Sequence, residues 1–189
     1  HRIGVFADGK TSWFGDSAWN ISIDYAKETL AAEITARNDA IGVLLSFSDA
    51  VYNEKNIFLR KVEIKNLRDD SREIILFFNQ EFQIGETNFA ATAYYDPKLK
   101  AVVHYRGRRV FLVGGEIEHK QFDDYSVGVF NADGKEGTWR DAEDGILSKN
   151  PIEHGSVDST IAFHAQVSGR GTMECTYWLV AAETIDKAA

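Results

Sequence analysis

Short segments in which every second residue is apolar dominate this chain, and residues that favour turns separate them. Between residues 19 and 25 the apolar side chains are Trp19, Ile21, Ile23 and Tyr25, with polar residues between them. Successive side chains of an extended strand point to opposite faces, so this spacing places all four on one face. The repetition of such segments predicts a fold built from β-strands.

Turn residues between these segments predict antiparallel pairs. Asp8-Gly9 joins segments 3–7 and 10–14, and this dipeptide supplies the positive φ angles of a type I′ turn. The same reasoning predicts four further units. They are 31–38 with 41–48, 56–66 with 73–82, a meander of 92–95, 101–105 and 109–113, and a closing hairpin of 159–167 with 172–182.

The length suits one domain with a sizeable core, because 189 residues contain no internal repeat and no linker-like change in composition. We therefore predict a single all-β domain. A net charge of -8 disfavours nucleic acid and anionic membrane surfaces as partners. The apolar runs are too short to cross a bilayer, and the single Cys175 cannot form an intrachain disulfide.

The first residues predict a piece of a longer polypeptide. The chain opens at His1, without an initiator Met or a signal segment, and runs directly into the first predicted strand. A lone free thiol and no signal segment favour the cytoplasm, while secretion stays open as the alternative.

One long segment interrupts the pattern of strands. Residues 131–158 show no long apolar alternation, but they contain Trp139, several glycines and many carboxylates. We expect at most one short helical turn, at 141–147. Loops of this length in a small domain are usually functional or ordered by a partner.

Metal, cofactor and nucleophile sites are not predicted. The five histidines stand far apart, and segment 141–145 lacks the alternating acidic residues of a calcium loop. Cys175 lies in a predicted strand, where burial as a small hydrophobic residue is the usual outcome. The glycines at 169 and 171 join two strands, whereas a phosphate-binding loop opens a helix.

Segment 138–144 carries the strongest candidate for ligand contact. It places the indole of Trp139 beside Arg140 and three carboxylates, those of Asp141, Glu143 and Asp144. An indole face can stack on a sugar ring, and carboxylates accept hydrogen bonds from hydroxyl groups. The alternative is that Trp139 packs into the core or against a neighbouring domain while Arg140 pairs with an acid. Trp13, Trp19 and Trp178 are predicted to pack in the core.

Several short motifs in a shared order resemble the N-terminal domain of prokaryotic family 15 glycoside hydrolases, the group of glucoamylases, glucodextranases and trehalases. The longest run is 137–160, which includes Gly-Thr-Trp-Arg-Asp-Ala-Glu-Asp-Gly at 137–145 and Gly-Ser-Val-Asp-Ser-Thr at 155–160. Shorter matches are Ala-Arg-Asn-Asp at 36–39, Ala-Tyr-Tyr-Asp-Pro at 93–97, His-Tyr-Arg-Gly-Arg-Arg at 104–109 and Tyr-Trp-Leu-Val-Ala-Ala at 177–182, together with segments 58–66 and 150–152.

This resemblance implies an antiparallel β supersandwich of the galactose-mutarotase-like kind that precedes a helical (α/α)6 barrel. In the family the catalytic glutamates belong to the barrel, so residues 1–189 inherit no catalytic role and are expected to be non-catalytic. The barrel is the expected partner, and an α-glucan is a second candidate.

Trp139, Arg140, Asp141, Glu143 and Asp144 are expected at the interface with the barrel or in contact with sugar. Two other hypotheses stay open. One is a free carbohydrate-binding module, which would show a row of exposed aromatic residues. Tyr94, Tyr95 and Tyr105 are the candidates, but the first two are adjacent and so point to opposite faces. The other is a complete small enzyme with its own pair of carboxylates.

Overall fold

A computed structural model describes residues 1–52, 54–85, 87, 89–122 and 124–189. Fifteen strands account for most of this part of the chain. It also contains one short helix and one 3-10 turn, at Asp141–Asp144. The strands are β1 (Arg2–Ala7), β2 (Lys10–Trp13), β3 (Asn20–Tyr25), β4 (Ala32–Asn38), β5 (Val43–Tyr52), β6 (Ile57–Asn66), β7 (Arg72–Glu81), β8 (Ala91–Asp96), β9 (Ala101–Arg106), β10 (Arg109–Ile117), β11 (Lys120–Gln121), β12 (Asp124–Val129), β13 (Ile152–Gly155), β14 (Val157–Val167) and β15 (Thr172–Ala182), and helix α1 is Ile185–Ala188.

The strands form two antiparallel sheets of unequal width. The narrow sheet has five strands in the order β12-β14-β7-β1-β2. The wide sheet has ten, in the order β13-β8-β9-β10-β15-β6-β5-β4-β3, with β11 paired to β10 outside this path. Side chains of both sheets form one main core, as a β-sandwich requires. The predicted all-β, single-domain sandwich is confirmed. No helix among the described residues has the length and apolar character that a bilayer span needs.

The hairpins with strong turn signals form as predicted. β1 and β2 pair across Asp8 and Gly9, whose φ angles of 53° and 74° are both positive, as a type I′ turn requires. β4 pairs with β5, and β8, β9 and β10 form the predicted meander.

Two predicted hairpins are wrong, because their arms lie in different sheets. β6 pairs with β5 and β15 in the wide sheet, whereas β7 pairs with β1 and β14 in the narrow one. Likewise β14 pairs with β12 and β7, whereas β15 pairs with β10 and β6. The connections at 67–71 and 168–171 therefore cross from one sheet to the other.

These two crossings lie side by side and share hydrogen bonds. The buried amide of Asn66 donates through Nδ2 to the carbonyl oxygens of Asp70, at 2.8 Å, and Ser168, at 3.2 Å. The backbone N–H of Arg170 donates to the carbonyl of Arg68 at 2.8 Å. Each crossing is thus stabilised by the other, an arrangement that local turn residues do not reveal.

Three further strands, the two-residue β11 and the longer β12 and β13, lie where no strand was predicted. β12 pairs with β14, and β13 pairs with β8 at the margin of the wide sheet. A signal for β12 is present in the alternation of Tyr125, Val127 and Val129 with Ser126 and Gly128.

The wide sheet extends beyond the cover of the narrow one. In one cross-strand row Ile23, Ile34, Phe47 and Val62 follow each other across β3 to β6 and point to the same face. Phe47 is only 3% exposed, but Ile23 is 70% exposed. Tyr25, on the same face of β3, is 69% exposed. The apolar residues of β3 therefore lie on the same face of the wide sheet as the core, but the narrow sheet does not cover them.

Candidate functional site

The long loop of 131–151 packs on the outer face of the narrow sheet. Ala142 and Leu147 form a second apolar cluster with Ile75, Phe77 and Ala162, which lie on the face of β7 and β14 that points away from the main core. The 3-10 turn at Asp141–Asp144 matches the expected helical turn in this loop. β7 is consequently covered on both faces.

A glycine ends this turn where the loop approaches the sheet closely. Gly145 has a φ of 88°, and a Cβ at this position would lie 2.8 Å from the ring of Phe6. A larger residue would meet both the left-handed backbone and the aromatic ring. The sequence around 145 is therefore constrained by packing.

Asp158 anchors the start of the loop from inside the protein. One of its oxygens, Oδ2, accepts hydrogen bonds from the backbone N–H of Thr138 at 2.7 Å, from Thr138 Oγ1 at 3.0 Å and from Asn79 Nδ2 at 2.9 Å. Burial raises the pKa of this carboxyl from 3.8 to about 6, and the three hydrogen bonds oppose the shift. The carboxyl therefore titrates in a range where exposed aspartates are fully ionised.

Close packing at Gly137 makes this anchor possible. Gly137 has a φ of 127°, and a Cβ there would lie 2.6 Å from Asp158 Oδ2. Thr138 also shares a hydrogen bond with Thr160 through their hydroxyl oxygens, 2.8 Å apart. The motif positions 137, 138 and 158–160 thus hold the loop to the sheet.

The indole of Trp139 is engaged within the chain. Its ring meets that of Trp13 edge-on, with centroids 6.2 Å apart, and its Nε1 donates to the carbonyl of Glu136 at 3.1 Å. The guanidinium carbons of Arg2 and Arg140 lie 4.6 Å and 4.1 Å from the ring centroid. Cations over the ring occupy the surface that a sugar would need for stacking. These contacts favour packing over sugar stacking for Trp139.

Arg140 links two acidic side chains of the loop. Its Nε donates to Glu136 at 2.6 Å, and its NH1 donates to Glu143 at 2.5 Å. The hydrogen bonds with Glu136 and then Glu143 raise the pKa of Arg140. All three side chains are half-exposed, so these pairs contribute little to stability. Their effect is to orient the charged surface of the loop.

Asp141 and Asp144 serve mainly as acceptors for backbone amides. Asp141 Oδ2 accepts from the N–H of Ser148 at 2.8 Å, and Asp144 Oδ1 accepts from the N–H of Ile146 at 3.0 Å. The carbonyl of Glu143 accepts a hydrogen bond from Thr11 Oγ1 at 2.7 Å. The structure therefore places all five predicted site residues on one loop, where they contact that loop, β1 and β2.

A polar hollow of about 370 Å³ lies between this loop and the edge of β12. Arg140, Asp141, Ser148, Asn150 and Glu153 are among the residues that line it. Trp139 is not among them. The hollow offers hydroxyl, amide and carboxylate partners without an aromatic platform. Among the described residues, no three or more His, Cys, Asp or Glu side chains come together as metal ligands would.

Sequence reasoning missed a buried polar network between the sheets. His104 Nε2 and Ser159 Oγ are 2.8 Å apart, and Ser159 Oγ donates to Gln80 Oε1 at 3.0 Å. Burial lowers the pKa of His104 to about 3, so the imidazole is neutral at ordinary pH. The signal in the sequence is the polar pair Asn79-Gln80 at the end of the apolar run 74–78.

The tyrosines considered for a carbohydrate-binding face do not form one row. Tyr94 and Tyr105 meet edge-on, with centroids 6.2 Å apart, in an apolar cluster with α1. Tyr95 lies against the main core and stacks on Tyr125 at 4.0 Å. Trp19 is buried in the core as predicted, while Trp13 and Trp178 are partly buried against other apolar clusters.

Comparisons with known proteins agree with this architecture. An uncharacterized glycosyl hydrolase of Methanocaldococcus jannaschii is 27% identical over 174 residues, which cover 92% of this chain and 27% of the relative. A crystal structure of bacterial glucoamylase complexed with acarbose superposes with a TM-score of 0.74 and 10% identity, over 99% of this chain and 27% of the glucoamylase chain. No protein-family model matches the chain.

This chain thus spans only about a quarter of the length of either protein. At 10% identity the structural match concerns the fold, and that fold is the β-sandwich at the N-terminus of glucoamylase. The predicted resemblance to the N-terminal domain of prokaryotic family 15 glycoside hydrolases is confirmed at the level of fold, over nearly the whole chain.

Proposed function

We propose that residues 1–189 are a non-catalytic N-terminal domain of a glycoside hydrolase of the glucoamylase group. In this proposal the domain packs against a helical (α/α)6 catalytic domain of the same polypeptide and stabilises it. The parent enzyme would hydrolyse an α-glucan or a related α-glucoside. The observation that carries the proposal is the match of 99% of this chain to 27% of a glucoamylase chain.

The contacts within the loop favour a structural role for this domain over a catalytic one. Glycosidases need two carboxyl groups that are free to act on opposite sides of a sugar. In this loop Glu136 and Glu143 are paired with Arg140, and Asp141 and Asp144 accept backbone hydrogen bonds. Such an arrangement stabilises a turn and presents a charged surface to a neighbour.

The uncovered inner face of the wide sheet also supports a domain with a partner. Ile23, Tyr25 and Val51 are each about 70% exposed, although they lie on the face of the wide sheet that carries Phe47 and the core. Exposed apolar patches of this kind mark contact surfaces. We propose that the remainder of the polypeptide covers this face.

The catalytic part of the proposal is tested by assays of glucose release. The chain of 189 residues and the longer polypeptide are each incubated with maltose, isomaltose and dextran. We expect glucose only from the longer polypeptide. Glucose released by the 189-residue chain, and lost when one of its own carboxylates is substituted, would contradict the proposal.

The interface part is tested by unfolding both proteins. Arg140→Ala and Trp139→Ala are compared with Lys98→Ala, an exposed position outside the loop. If the loop contacts the catalytic domain, Arg140→Ala lowers the Tm of the longer polypeptide more than that of the 189-residue chain. Equal shifts in the two proteins would assign the loop to internal packing alone.

The polar hollow beside β12 favours one second candidate, a carbohydrate-binding module. Its hydroxyl and carboxylate groups could bind sugar hydroxyls, although no aromatic residue lines it. Calorimetry with maltose, isomaltose and dextran tests this role. Saturable binding that Asp141→Asn removes would support the module, and the absence of heat would favour the accessory role.

A further inference from the structure

A second cavity lies away from the loop, where β6 begins and β15 ends in the wide sheet. It is an open groove of about 770 Å³ between β6, β10, β15 and α1. Its floor includes the apolar residues Ile57, Val110 and Val180, which lie on the same face of the wide sheet. Val110 belongs to the apolar cluster under α1, so the floor is continuous with packed side chains. This volume is in the range of natural binding sites.

The rim of this groove is basic, in contrast to the protein as a whole. Four basic side chains line it, Lys55, Arg108, Arg109 and Lys187, against one acidic side chain, Glu183. The whole chain has 29 acidic and 21 basic residues. A local excess of positive charge in an acidic protein would attract a partner of opposite charge.

Glu183, the one acidic side chain of the rim, already forms ion pairs with two of the basic side chains. Glu183 Oε2 is 3.3 Å from Arg108 NH2 and 2.9 Å from Lys187 Nζ. These two partners, Lys187 first, lower the pKa of Glu183, so it stays ionised. Within the described part of the chain, neither Lys55 nor Arg109 has a carboxylate at salt-bridge distance. Two rim cations on opposite elements are thus available for ion pairs.

We propose that this groove binds an acidic amphipathic peptide segment, with apolar side chains on the floor and carboxylates against the rim. The basic groups come from three separate parts of the chain: the segment before β6, the start of β10 with the residue before it, and α1. They therefore suit charges spread along a segment better than one compact anion. The apolar floor explains why the ligand would carry hydrophobic side chains as well as charge.

A labelled peptide of repeated Glu-Leu-Leu-Glu units is the probe, and fluorescence anisotropy with the 189-residue chain is the measurement. We expect saturable binding that weakens as salt rises, because the charges at the rim are exposed. The double variant Lys55→Gln, Arg109→Gln should weaken binding by about threefold to thirtyfold. The control Lys98→Gln, Lys120→Gln removes the same charge elsewhere and should leave the affinity unchanged.

Other outcomes overturn the proposal. If the matching Lys-Leu-Leu-Lys peptide binds equally well, or if the control variant weakens binding as much, charge at this rim is not what recognises the segment. Inorganic phosphate is added as a competitor at constant ionic strength. If it displaces the peptide, the groove is assigned to a compact anion. Failure of the acidic peptide to bind would also refute it. None of these results depends on the proposed accessory role.

Discussion

Asp158 Oδ2 accepts a hydrogen bond from the backbone N–H of Thr138 at 2.7 Å, and this bond attaches the long loop to β14 of the narrow sheet. The carboxyl is fully buried, and the second donor from Thr138, its hydroxyl, lies at 3.0 Å. The loop that carries all five candidate interface residues is therefore positioned by a residue that lies beyond it in the sequence.

The raised pKa of Asp158 predicts a pH-dependent contribution to stability. Because the pKa is about 6 in the folded protein and near 3.8 when unfolded, the folded state binds the proton more tightly. This favours folding below pH 3.8, and the advantage is lost as pH rises through 6. The full effect is about 3 kcal/mol.

Denaturant unfolding of the protein and of Asp158→Asn, at several pH values from 4 to 7, measures this effect. The free energy of unfolding of the protein, relative to that of Asp158→Asn, should fall as the pH rises from 4 to 6. Asp144→Asn, an exposed position on the same loop, is the control and should show no comparable change. A pH-independent difference for Asp158→Asn would contradict the assigned pKa.

His104 should act in the opposite direction over an overlapping range. Burial lowers its pKa from 6.5 to about 3, so the unfolded chain binds a proton that the folded protein rejects. Stability is therefore lost as pH falls below 6.5, by roughly 2 kcal/mol at pH 5. His104→Gln keeps a polar group near Ser159 and should remove this loss. NMR titration of the His104 imidazole checks the pKa directly.

Gly145→Ala should destabilise the protein more than Gly134→Ala. Both residues have a positive φ, of 88° and 74°, so both substitutions carry the cost of a left-handed backbone, about 1–2 kcal/mol. Only at Gly145 would the new Cβ meet another group, the ring of Phe6 at 2.8 Å. Thermal unfolding of the two variants separates the steric cost from the backbone cost. Equal losses would mean that Phe6 moves aside freely.

Two positions in one cross-strand row should respond differently to truncation. Phe47→Ala should cost about 3–5 kcal/mol, because Phe47 is buried between the sheets. Ile23→Ser should change the stability of the 189-residue chain by less than about 0.5 kcal/mol, because Ile23 is exposed. The same change should reduce binding of a hydrophobic dye and self-association. A large loss of stability for Ile23→Ser would mean that this face is covered in solution.

The local pattern of the chain determined most of the strands and the tight turns. Alternation placed the apolar residues of β3 on one face, and Asp8-Gly9 specified its hairpin because few residues tolerate positive φ at two successive positions. The missing apolar alternation at 131–158 marked the loop, for which one short helical turn at 141–147 was expected. These features depend only on residues that are close in the sequence, so the sequence is sufficient to predict them.

Tertiary structure decided which strands pair and which surfaces are buried. The apolar run 74–78 marks β7 as a strand covered on both faces, but only packing reveals that the loop provides the outer cover. The two crossings that Asn66 holds side by side place β7 in the narrow sheet and β15 in the wide one. The predicted partners of these strands, β6 and β14, lie in the other sheet in each case. Such contacts join residues about a hundred positions apart, and a periodic pattern carries no information on which distant strand supplies the partner.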